Sequence, residues 1–382
     1  MKALILNSGT GTRMGALTAE HPKCMTELSP GETILSRQLR MLSEAGLTQA
    51  VITTGPFAEA LMDYCRSLNL PIELTFVHNP DFQTTNYIYS IYLARAFLDE
   101  DILLLHGDLV FENAVLDALL AREDSCMAVS STQPLPEKDF KAVLRDGNIC
   151  SVGVEFFQNA AAAQPLYRLR WEDWRLWLEG IVRLCEQGSR NCYAEKALNE
   201  LDGACPLAPL DIQNLLCGEV DDPSDLAVLT ARLREVENRT VYMCFSTDIL
   251  HSGHIAIIKK ARRLGRLTIG VLSDEAVASY RRFPLLPYAE RKTMLENISG
   301  VARVVEQRTL SYLENLERYK PDFVVHGDDW SSGVQKPIRD EVVSALASYG
   351  GRLVEFPYAR EENYQALEAQ APAILAANAL DV

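Results

Sequence analysis

Short apolar runs alternate with amphipathic stretches along the first half of the chain. Ala3–Leu6 is an apolar run of the kind that forms a buried parallel strand. Similar runs occur at residues 50–54, 72–77 and 102–105, and stretches with helical periodicity occur at residues 33–45, 57–68 and 86–97. This alternation predicts an α/β fold in which helices cover both faces of a mostly parallel, Rossmann-like sheet. Ligands of such sheets bind beyond the carboxyl ends of the strands.

A second domain of the same class is predicted to follow the first. Residues 230–239 are charged and contain no apolar run, so we place a linker near residues 235–238. Val241–Phe245 then has the pattern of a new strand. The predicted domains are residues 1–236 and 239–382, each with its own Rossmann-like sheet and helices on both faces.

Composition and charge limit the functional classes. The chain has 382 residues, which is long enough for two domains that each bury a core. Its formal net charge of −15 argues against a broad nucleic-acid-binding surface. The nine cysteines are scattered without a Cys-x-x-Cys pair, which favours reduced thiols. Because the sequence shows no secretory leader and no apolar run approaching about 18 residues, we expect a cytoplasmic protein without membrane insertion.

The most informative stretch follows the first strand. Small and hydroxyl-bearing residues at 7–12 allow a tight turn whose N–H groups point at an anion. Arg13 and Lys23 add positive charge, which suits a polyphosphate. The loop matches neither the P-loop nor Gly-x-Gly-x-x-Gly, and a plain strand-to-helix turn is the alternative interpretation. The predicted nucleotide-binding residues of the loop are Asn7, Gly9, Thr10, Gly11 and Thr12.

The full pattern is more specific than its glycines. The loop continues as Gly9-x-Gly11-x-Arg13-Met14-Gly15, and Leu17-Thr18 and Pro22-Lys23 follow. Over the first 235 residues the chain resembles the nucleotidyltransferases that make NDP-sugars and CDP-alcohols. The resemblance implies that the glycines and Arg13 hold a triphosphate and that Lys23 lies near its phosphates. Asn7-Ser8 stands where the family more often has two alanines, which we expect to alter base contacts more than phosphate contacts.

Two carboxylates are predicted to hold Mg²⁺. Asp108 follows the apolar run at 102–105, where a carboxylate can bind an ion that bridges triphosphate oxygens, although a helix N-cap is the alternative. Glu219-Val220-Asp221-Asp222-Pro223 resembles the family's late Glu-[Ile/Val]-Asp motif, whose aspartate is the second metal ligand. The resemblance therefore implies that Asp221, rather than Asp222, joins Asp108 at one Mg²⁺ ion.

Three features bear on the nucleotide and the acceptor. Asn86 opens a helix, and either its amide or the exposed N–H groups could contact the ribose or acceptor, with a plain N-cap as the alternative. The asparagine-rich stretch around it is similar to one in choline-phosphate cytidylyltransferases, which favours CTP. A hairpin turning at Asp146-Gly147 carries Lys141, which sugar-phosphate relatives imply as an acceptor contact, with Lys138 as alternative. Solvated lysines are equally compatible with this pattern.

Three tryptophans recur every third residue on one predicted helix, at positions 171, 174 and 177. An aromatic box for a quaternary ammonium is one interpretation. We favour the other, in which the tryptophans form a stripe that packs into the core.

The second domain carries its own motif. His251-Ser252-Gly253-His254 begins a predicted helix, where two imidazoles can donate to phosphates. The span to about Tyr358 resembles the H-x-G-H cytidylyltransferases, in the version attached to phosphoenolpyruvate mutases in phosphonate biosynthesis. Residues 248–251, 272–274, 278–280, 290–291, 326–330, 333–335 and 350–351 carry this likeness, and it implies a nucleotide-binding role for Asp328.

One segment of the second domain departs from that family. The expected Gly-Ile-Ser segment is absent at residues 359–363, and Glu361 and Glu362 would repel a triphosphate. The second site could therefore be weakened, or the domain could serve as a scaffold or dimerisation module. Residues 364–382 are rich in alanine and predict a helix.

These features together predict a Mg²⁺-dependent cytidylyltransferase. We expect the first domain to transfer CMP from CTP. The resemblance of the second domain implies 2-aminoethylphosphonate or a near relative as the acceptor, with phosphocholine as runner-up and a sugar 1-phosphate third. Alternatives for the second domain are an active second site, which would make the enzyme bifunctional, or a non-catalytic assembly module. The resemblance to the H-x-G-H cytidylyltransferases, which are often dimers, also implies a homodimer.

Overall fold

The structure is a computed structural model that describes residues 1–246, 250–279, 284–331 and 335–357. The predicted matches at Asp248-Ile249, Tyr280, Gly333-Val334 and Tyr358 lie outside the described residues. So do the departing segment at 359–363 and the predicted helix at 364–382. No helix in the described part of the chain is both long enough and apolar enough to cross a bilayer.

The strands of the first compact unit alternate with its helices. The strands are β1 (Lys2–Asn7), β2 (Glu27–Ser29), β3 (Glu32–Thr33), β4 (Gln49–Thr54), β5 (Glu73–His78), β6 (Ile102–His106), β7 (Leu109–Phe111), β8 (Cys126–Ser130), β9 (Lys141–Arg145), β10 (Asn148–Gly153), β11 (Ala160–Leu169), β12 (Ala208–Asp211) and β13 (Cys217–Glu219). The helices are α1 (Ile34–Glu44), α2 (Ala58–Ser67), α3 (Tyr87–Ala94), α4 (Asn113–Leu120), α5 (Trp171–Glu186), α6 (Glu195–Asn199) and α7 (Pro223–Asn238).

The main sheet of this unit runs in the order β10-β9-β11-β6-β1-β4-β5, with β8 beside β11 and β12 beside β8. Its β6-β1-β4-β5 part is parallel, and Leu4 of β1 pairs with both Val51 and Leu104. These strands are apolar along their whole length because helices cover both faces. Side chains of α3 and α5 pack on one face, and side chains of α1, α2 and α4 pack on the other. The predicted α/β class is confirmed.

Local signals explain where several elements begin and turn. Thr33 and Ser36 form a reciprocal capping box at the start of α1. Asp146 and Gly147 connect β9 to β10 with φ values of 51° and 79°, which is the two-residue hairpin turn that Asp-Gly favours. The hairpin predicted at this dipeptide is confirmed.

The first compact unit spans Met1–Leu233, and the second begins at Arg234. The predicted linker residues, 235–238, are helical because they form the last turn of α7. Leu229 and Leu233, which precede these residues in the same helix, are buried, and the helix continues from them through the charged segment.

The second unit has a fully parallel sheet. Its elements are β14 (Thr240–Phe245), α8 (Ser252–Arg262), β15 (Arg266–Leu272), α9 (Asp274–Ala278), α10 (Tyr288–Glu296), β16 (Val301–Gln307), α11 (Leu313–Tyr319), β17 (Phe323–Gly327), α12 (Lys336–Ala347) and β18 (Arg352–Phe356). The strand order is β16-β15-β14-β17-β18. Side chains of α8 and α10 pack on one face, and those of α11 and α12 pack on the other. This is the Rossmann-like arrangement that the sequence predicts.

Candidate functional site

A cavity of about 420 Å³ opens at the carboxyl ends of β1, β5 and β6, where Asn7, Asn79 and Asp108 line it. This is the edge at which ligands of open α/β sheets bind. The predicted first-unit residues that line it are Asn7, Gly9, Thr10, Gly11, Thr12, Arg13, Lys23, Asn86, Asp108 and Asp221. Of the predicted residues of this unit, Lys141 is not in the lining.

The glycine loop needs its glycines at two turns. Gly11 has a φ of 63° and Gly15 a φ of 58°. Both values lie in the left-handed region of backbone conformation, which residues other than glycine rarely adopt. The Thr18 hydroxyl donates to the carbonyl of Gly11 at 2.9 Å. A side chain at Gly11 would also crowd Lys23, whose Cβ lies 3.3 Å from the position of an added Cβ. The loop therefore holds Arg13 and Lys23 at fixed places around the cavity.

A buried network of hydroxyl and amide groups connects the glycine loop to β4 and α3. The Ser8 hydroxyl lies 2.5 Å from the Ser90 hydroxyl of α3, and Asn79 Nδ2 donates to Ser90 at 3.0 Å. Ser8 also lies 3.3 Å from the Thr53 hydroxyl of β4. Ser8 is one of the two residues, with Asn7, that stand where the resembling family more often has alanine, and its hydroxyl bonds to neighbouring elements of the fold. The sequence does not reveal this network, because its members come from separate segments.

Two cationic and two anionic side chains meet at the cavity. Lys23 Nζ lies 2.6 Å from Asp108 Oδ2 and 2.8 Å from Asp221 Oδ1. Arg13 donates from both terminal nitrogens to the two Asp221 oxygens, at 2.8 and 2.9 Å. Burial opposes the charged form of Lys23, but the charges and hydrogen bonds of Asp108 and Asp221 raise its pKa. The structure thus brings together four residues that the sequence assigns to one site.

A short antiparallel ladder explains why the two carboxylates meet. β7 pairs with β13 so that Leu109 faces Glu219, and Val220 N donates to the carbonyl of Asp108 at 3.0 Å. Asp222 points elsewhere, because its side chain accepts from the backbone N–H groups of Ser224 and Asp225 at the start of α7. The choice of Asp221 over Asp222 as the metal ligand stays a prediction.

The carboxylates suit a divalent cation. Asp108 Oδ1 is buried and has no hydrogen-bond partner among the described residues. Carboxylate oxygens are the preferred protein ligands of Mg²⁺. The Lys23 ammonium already lies between the two carboxylates, at the place where a cation would bridge them. Asp108 and Asp221 therefore fit the predicted metal role, which stays a prediction.

A histidine and a glutamate form a second polar pair in the site. His106 Nδ1 lies 2.9 Å from Glu219 Oε1, and His106 lines the cavity. Burial and the charge of Asp108 raise the pKa of Glu219 to about 7. Burial alone would lower the pKa of His106, but the hydrogen bond and charge of Glu219 raise it. The sequence analysis missed this pair, although both residues flank the predicted aspartates.

Aromatic rings surround that pair. The Tyr87 ring packs edge-on against His106 with centroids 4.8 Å apart, and Phe140 and Tyr193 pack edge-on at 5.1 Å. The Tyr87 hydroxyl donates to the buried Glu195, which also accepts from Tyr167. Tyr193 is 42% exposed, so its ring is open to solvent. This aromatic and acidic wall suits an organic cation. We name it the aromatic wall; its members are Tyr87, His106, Phe140, Tyr193 and Glu219.

Two predicted residues take structural positions. Asn86 lines the cavity, but its amide oxygen accepts from Tyr87 N at 2.7 Å and so caps α3. Lys141 is fully buried, and its ammonium donates to the carbonyls of Val154 at 2.6 Å and Glu137 at 3.2 Å. The ammonium of Lys141 is therefore bound by the protein's own backbone. Any role for it at the acceptor stays a prediction.

The tryptophan stripe belongs to the core. Trp174 and Trp177 are fully buried, and their indole N–H groups donate to the carbonyls of Leu98 and Ala194. Trp171 packs against the same cluster. The core interpretation of the stripe is confirmed, and the aromatic residues at the site are different ones.

The predicted residues of the second unit share one edge of its sheet. His251 and His254 follow β14 with ring centroids 4.0 Å apart, and Asp328 follows the neighbouring β17. His251 Nδ1 accepts from Gly253 N at 3.1 Å and so caps α8. Burial and the neighbouring His251 lower the pKa of His254 to about 4. His254 is therefore uncharged at neutral pH in this state.

Known families match both units. The family described as MobA-like NTP transferase domain matches residues 3–176. The family described as Cytidylyltransferase-like matches residues 244–364.

Three relatives are each similar to part of this chain. CMP-5'-(3-aminopropyl)phosphonate synthase of Streptomyces rubellomurinus is 32% identical over 237 residues, 59% of this chain. Ethanolamine-phosphate cytidylyltransferase of Arabidopsis thaliana is 33% identical over 103 residues, 25% of this chain. CTP:phosphoglutamine cytidylyltransferase of Campylobacter jejuni is 27% identical over 139 residues, 35% of this chain. The matched regions span 37%, 24% and 53% of these relatives' own lengths, respectively.

Solved structures agree on the fold. The inositol-1-phosphate CTP transferase from T. maritima has a TM-score of 0.51 at 22% identity, covering 61% of this chain and 96% of that one. A UDP-glucose pyrophosphorylase complexed with UDP-glucose has a TM-score of 0.51 at 15% identity, covering 61% and 98%. Residues 3–176 thus resemble a MobA-like NTP transferase domain, and residues 244–364 resemble a cytidylyltransferase-like domain.

Proposed function

We propose that the chain is a cytidylyltransferase whose first unit transfers CMP from CTP to a small amine-bearing phosphonate, such as 2-aminoethylphosphonate. Pyrophosphate is the second product. The observation that carries the proposal is the meeting, in one cavity, of the glycine loop, two cations and two carboxylates.

The charges of the cavity suit a nucleoside triphosphate. Arg13 presents a forked donor that matches phosphate oxygens, and Lys23 presents a compact positive charge. The loop N–H groups add fixed donors. Asp108 and Asp221 would hold a Mg²⁺ ion, which supplies neutralisation of charge on the phosphates and on the leaving pyrophosphate.

The reaction is an in-line displacement at the α-phosphorus of CTP. An anionic oxygen of the phosphonate attacks, a new phosphorus–oxygen bond forms, and the bond to the β-phosphate oxygen breaks so that pyrophosphate leaves. Because the attacking oxygen is already ionised, no strong general base is needed. The protein contributes by holding the two reactants in line and by stabilising the negative charge that develops.

The aromatic wall supports an acceptor with an ammonium group. Glu219 pairs with His106, and the Tyr87 ring packs between His106 and the exposed ring of Tyr193, with centroids 4.8 and 5.9 Å away. A primary ammonium is bound by a carboxylate, and an aromatic face adds a favourable interaction. The similarity to a relative named for CMP-(3-aminopropyl)phosphonate synthesis supports the same acceptor class. Phosphocholine, with its quaternary ammonium, is the second candidate, and the aromatic rings favour it.

We assign the reaction to the first unit because its cations and carboxylates are assembled around one cavity. In the second unit, the uncharged His254 offers no positive charge in the nucleotide-free state. A second active site and a non-catalytic assembly role remain the two alternatives for that unit.

The test is pyrophosphate release by the full-length chain. Each of the four nucleoside triphosphates is paired with 2-aminoethylphosphonate, 3-aminopropylphosphonate, phosphocholine, phosphoethanolamine and a sugar 1-phosphate. We expect CTP with an aminophosphonate to give the highest kcat/KM. Preference for a sugar 1-phosphate would contradict the acceptor assignment, and preference for another nucleotide would contradict CTP.

A pair of variants tests which unit reacts. Arg13→Ala should abolish CMP transfer to the phosphonate, while the double variant His251→Ala/His254→Ala should retain most of it. Loss of activity only in the histidine variant would assign the reaction to the second unit.

A further inference from the structure

Lys23 is the counter-cation of the two predicted metal carboxylates. Its ammonium lies 2.6 Å from Asp108 and 2.8 Å from Asp221, so it makes a close charged hydrogen bond to each carboxylate. Arg13 binds both oxygens of Asp221 at the same time. In this state the two carboxylates are neutralised by the protein's own side chains, and each oxygen of Asp221 already has a donor.

A divalent cation cannot join this arrangement by simple addition. A bridging ion would lie beside an ammonium and a guanidinium, and the like charges would repel across distances at which electrostatic energies are large. The ammonium would have to leave. The side chain of Lys23 is only 14% exposed, so the displaced charge has little access to water.

A bound triphosphate would relieve both the repulsion between the metal and the two cationic side chains and the burial of a displaced ammonium. Its oxygens offer Lys23 and Arg13 new anionic partners within the same cavity, whose lining already includes both residues. The carboxylates are then released to the cation, which the phosphates also bind. Metal and nucleotide should therefore favour each other's binding, because each removes a penalty that the other faces.

We propose that Lys23 excludes divalent cations from the Asp108–Asp221 pair until a nucleoside triphosphate binds, so that metal and nucleotide enter the site together. This role rests on the proposed function, since it takes a nucleoside triphosphate as the ligand. Lys23 is then a positioning residue in the nucleotide-free protein and a phosphate contact in the loaded one.

The experiment measures Mn²⁺ binding by the full-length chain through electron paramagnetic resonance, without acceptor. Wild-type protein should bind Mn²⁺ weakly alone and at least about tenfold more tightly with CTP, after allowance for Mn²⁺ held by free CTP. Lys23→Met should bind Mn²⁺ without CTP at least about tenfold more tightly than wild type, because the competing charge is gone. Adding Asp108→Asn to Lys23→Met should remove the gain.

A matched control is Lys2→Met. Lys2 is also partly buried, at 15% exposure, and it pairs with Glu100 at 3.3 Å. Its loss should leave Mn²⁺ binding unchanged, which separates the role of Lys23 from a general change in charge. Lys23→Arg keeps the positive charge and should retain weak Mn²⁺ binding in the absence of CTP.

The outcomes are distinguishable. Tight Mn²⁺ binding by wild type without CTP, lost in Asp108→Asn, would overturn the role of Lys23 while leaving the proposed function intact. Failure of CTP to bind wild type at all would instead contradict the proposed function. If Lys23→Met does not fold, the wild-type comparison with and without CTP still decides, because equal Mn²⁺ affinity in the two conditions overturns the inference.

Discussion

Arg13 and Asp221, which lie 208 positions apart in the chain, are joined by two parallel hydrogen bonds of 2.8 and 2.9 Å. Arg13 is 63% exposed on its side chain, whereas Asp221 is 20% exposed. Exposed ion pairs contribute little to stability, so we do not assign the pair a large structural role. The pair instead places the guanidinium of Arg13 at the cavity, where it can exchange the Asp221 carboxylate for a phosphate group.

We expect Arg13→Ala to lower kcat/KM for CTP by at least about 10²-fold, as for a lost preorganised donor. Arg13→Lys should fall between this variant and wild type, because it keeps the charge but loses the fork. Steady-state pyrophosphate release measures both. Arg66→Ala is the control, since Arg66 is 67% exposed and pairs with Asp63 on the surface of α2. An equal loss in the control would indicate a general effect of removing positive charge.

The two neighbouring aspartates of the late motif should behave differently. Asp221→Ala should lower kcat by at least about 10³-fold, because a lost metal ligand removes several kcal/mol of stabilisation from the transition state. Asp222→Ala should leave kcat unchanged and destabilise the first unit by about 1 kcal/mol, the usual cost of a lost helix cap. Turnover at rising Mg²⁺ and urea unfolding measure the two effects. The reversed pattern would move the metal role to Asp222.

Lys141 should prove to be a stabilising residue. Lys141→Met removes the donor that the carbonyls of Val154 and Glu137 share, and each buried unpaired group costs about 1–3 kcal/mol. We therefore expect faster amide exchange in residues 137–157, measured by mass spectrometry on the full chain. The exposed Lys138, changed to Met, is the control and should leave exchange unchanged. Unchanged amide exchange in Lys141→Met, together with a raised KM for the acceptor, would instead indicate that Lys141 contacts the acceptor.

Much of the first unit can be predicted from the sequence because its signals are local. The runs that form β1, β4 and β6 are apolar throughout, since burial on both faces demands it. The glycine loop is equally local, because two turns with positive φ require glycine. Such signals fix the strands and therefore the edge at which the cavity opens.

The aromatic wall is harder to predict because it depends on tertiary packing. Phe140, Tyr193 and Glu219 come from three separate segments, and nothing in their own neighbourhoods marks them as neighbours. The direction of the Lys141 side chain is likewise set by the loops that close over it, not by its strand. The helical linker is a third case, in which a helix with two buried leucines continues through a charged segment.

The aromatic wall yields a prediction about the acceptor's amine. Glu219→Gln and Tyr193→Leu should each raise the KM for 2-aminoethylphosphonate roughly tenfold or more, because a charged hydrogen bond or a cation–aromatic contact is lost. The KM for ethylphosphonate, which has no ammonium, should change little. Trp174→Phe is the control, since Trp174 is a core residue and should not discriminate between the two acceptors. Equal effects on both acceptors would show that the aromatic wall does not bind the ammonium group of the acceptor.

The last prediction concerns acid stability of the second unit. The folded pKa of His254 is about 4, whereas an unfolded histidine has a pKa of about 6.5. The folded state therefore binds fewer protons than the unfolded state between these values, so stability is complete above pH 6.5 and is lost as the pH falls towards 4. A shift of this size corresponds to roughly 3 kcal/mol. Amide exchange in β14 and α8 of the full chain, followed from pH 7 to 4.5 and corrected for the intrinsic exchange rate, should show this loss of protection. His254→Gln cannot gain a proton and should flatten the dependence, whereas His21→Gln in the first unit should leave it unchanged. An equally steep loss in His254→Gln would show that other groups cause it.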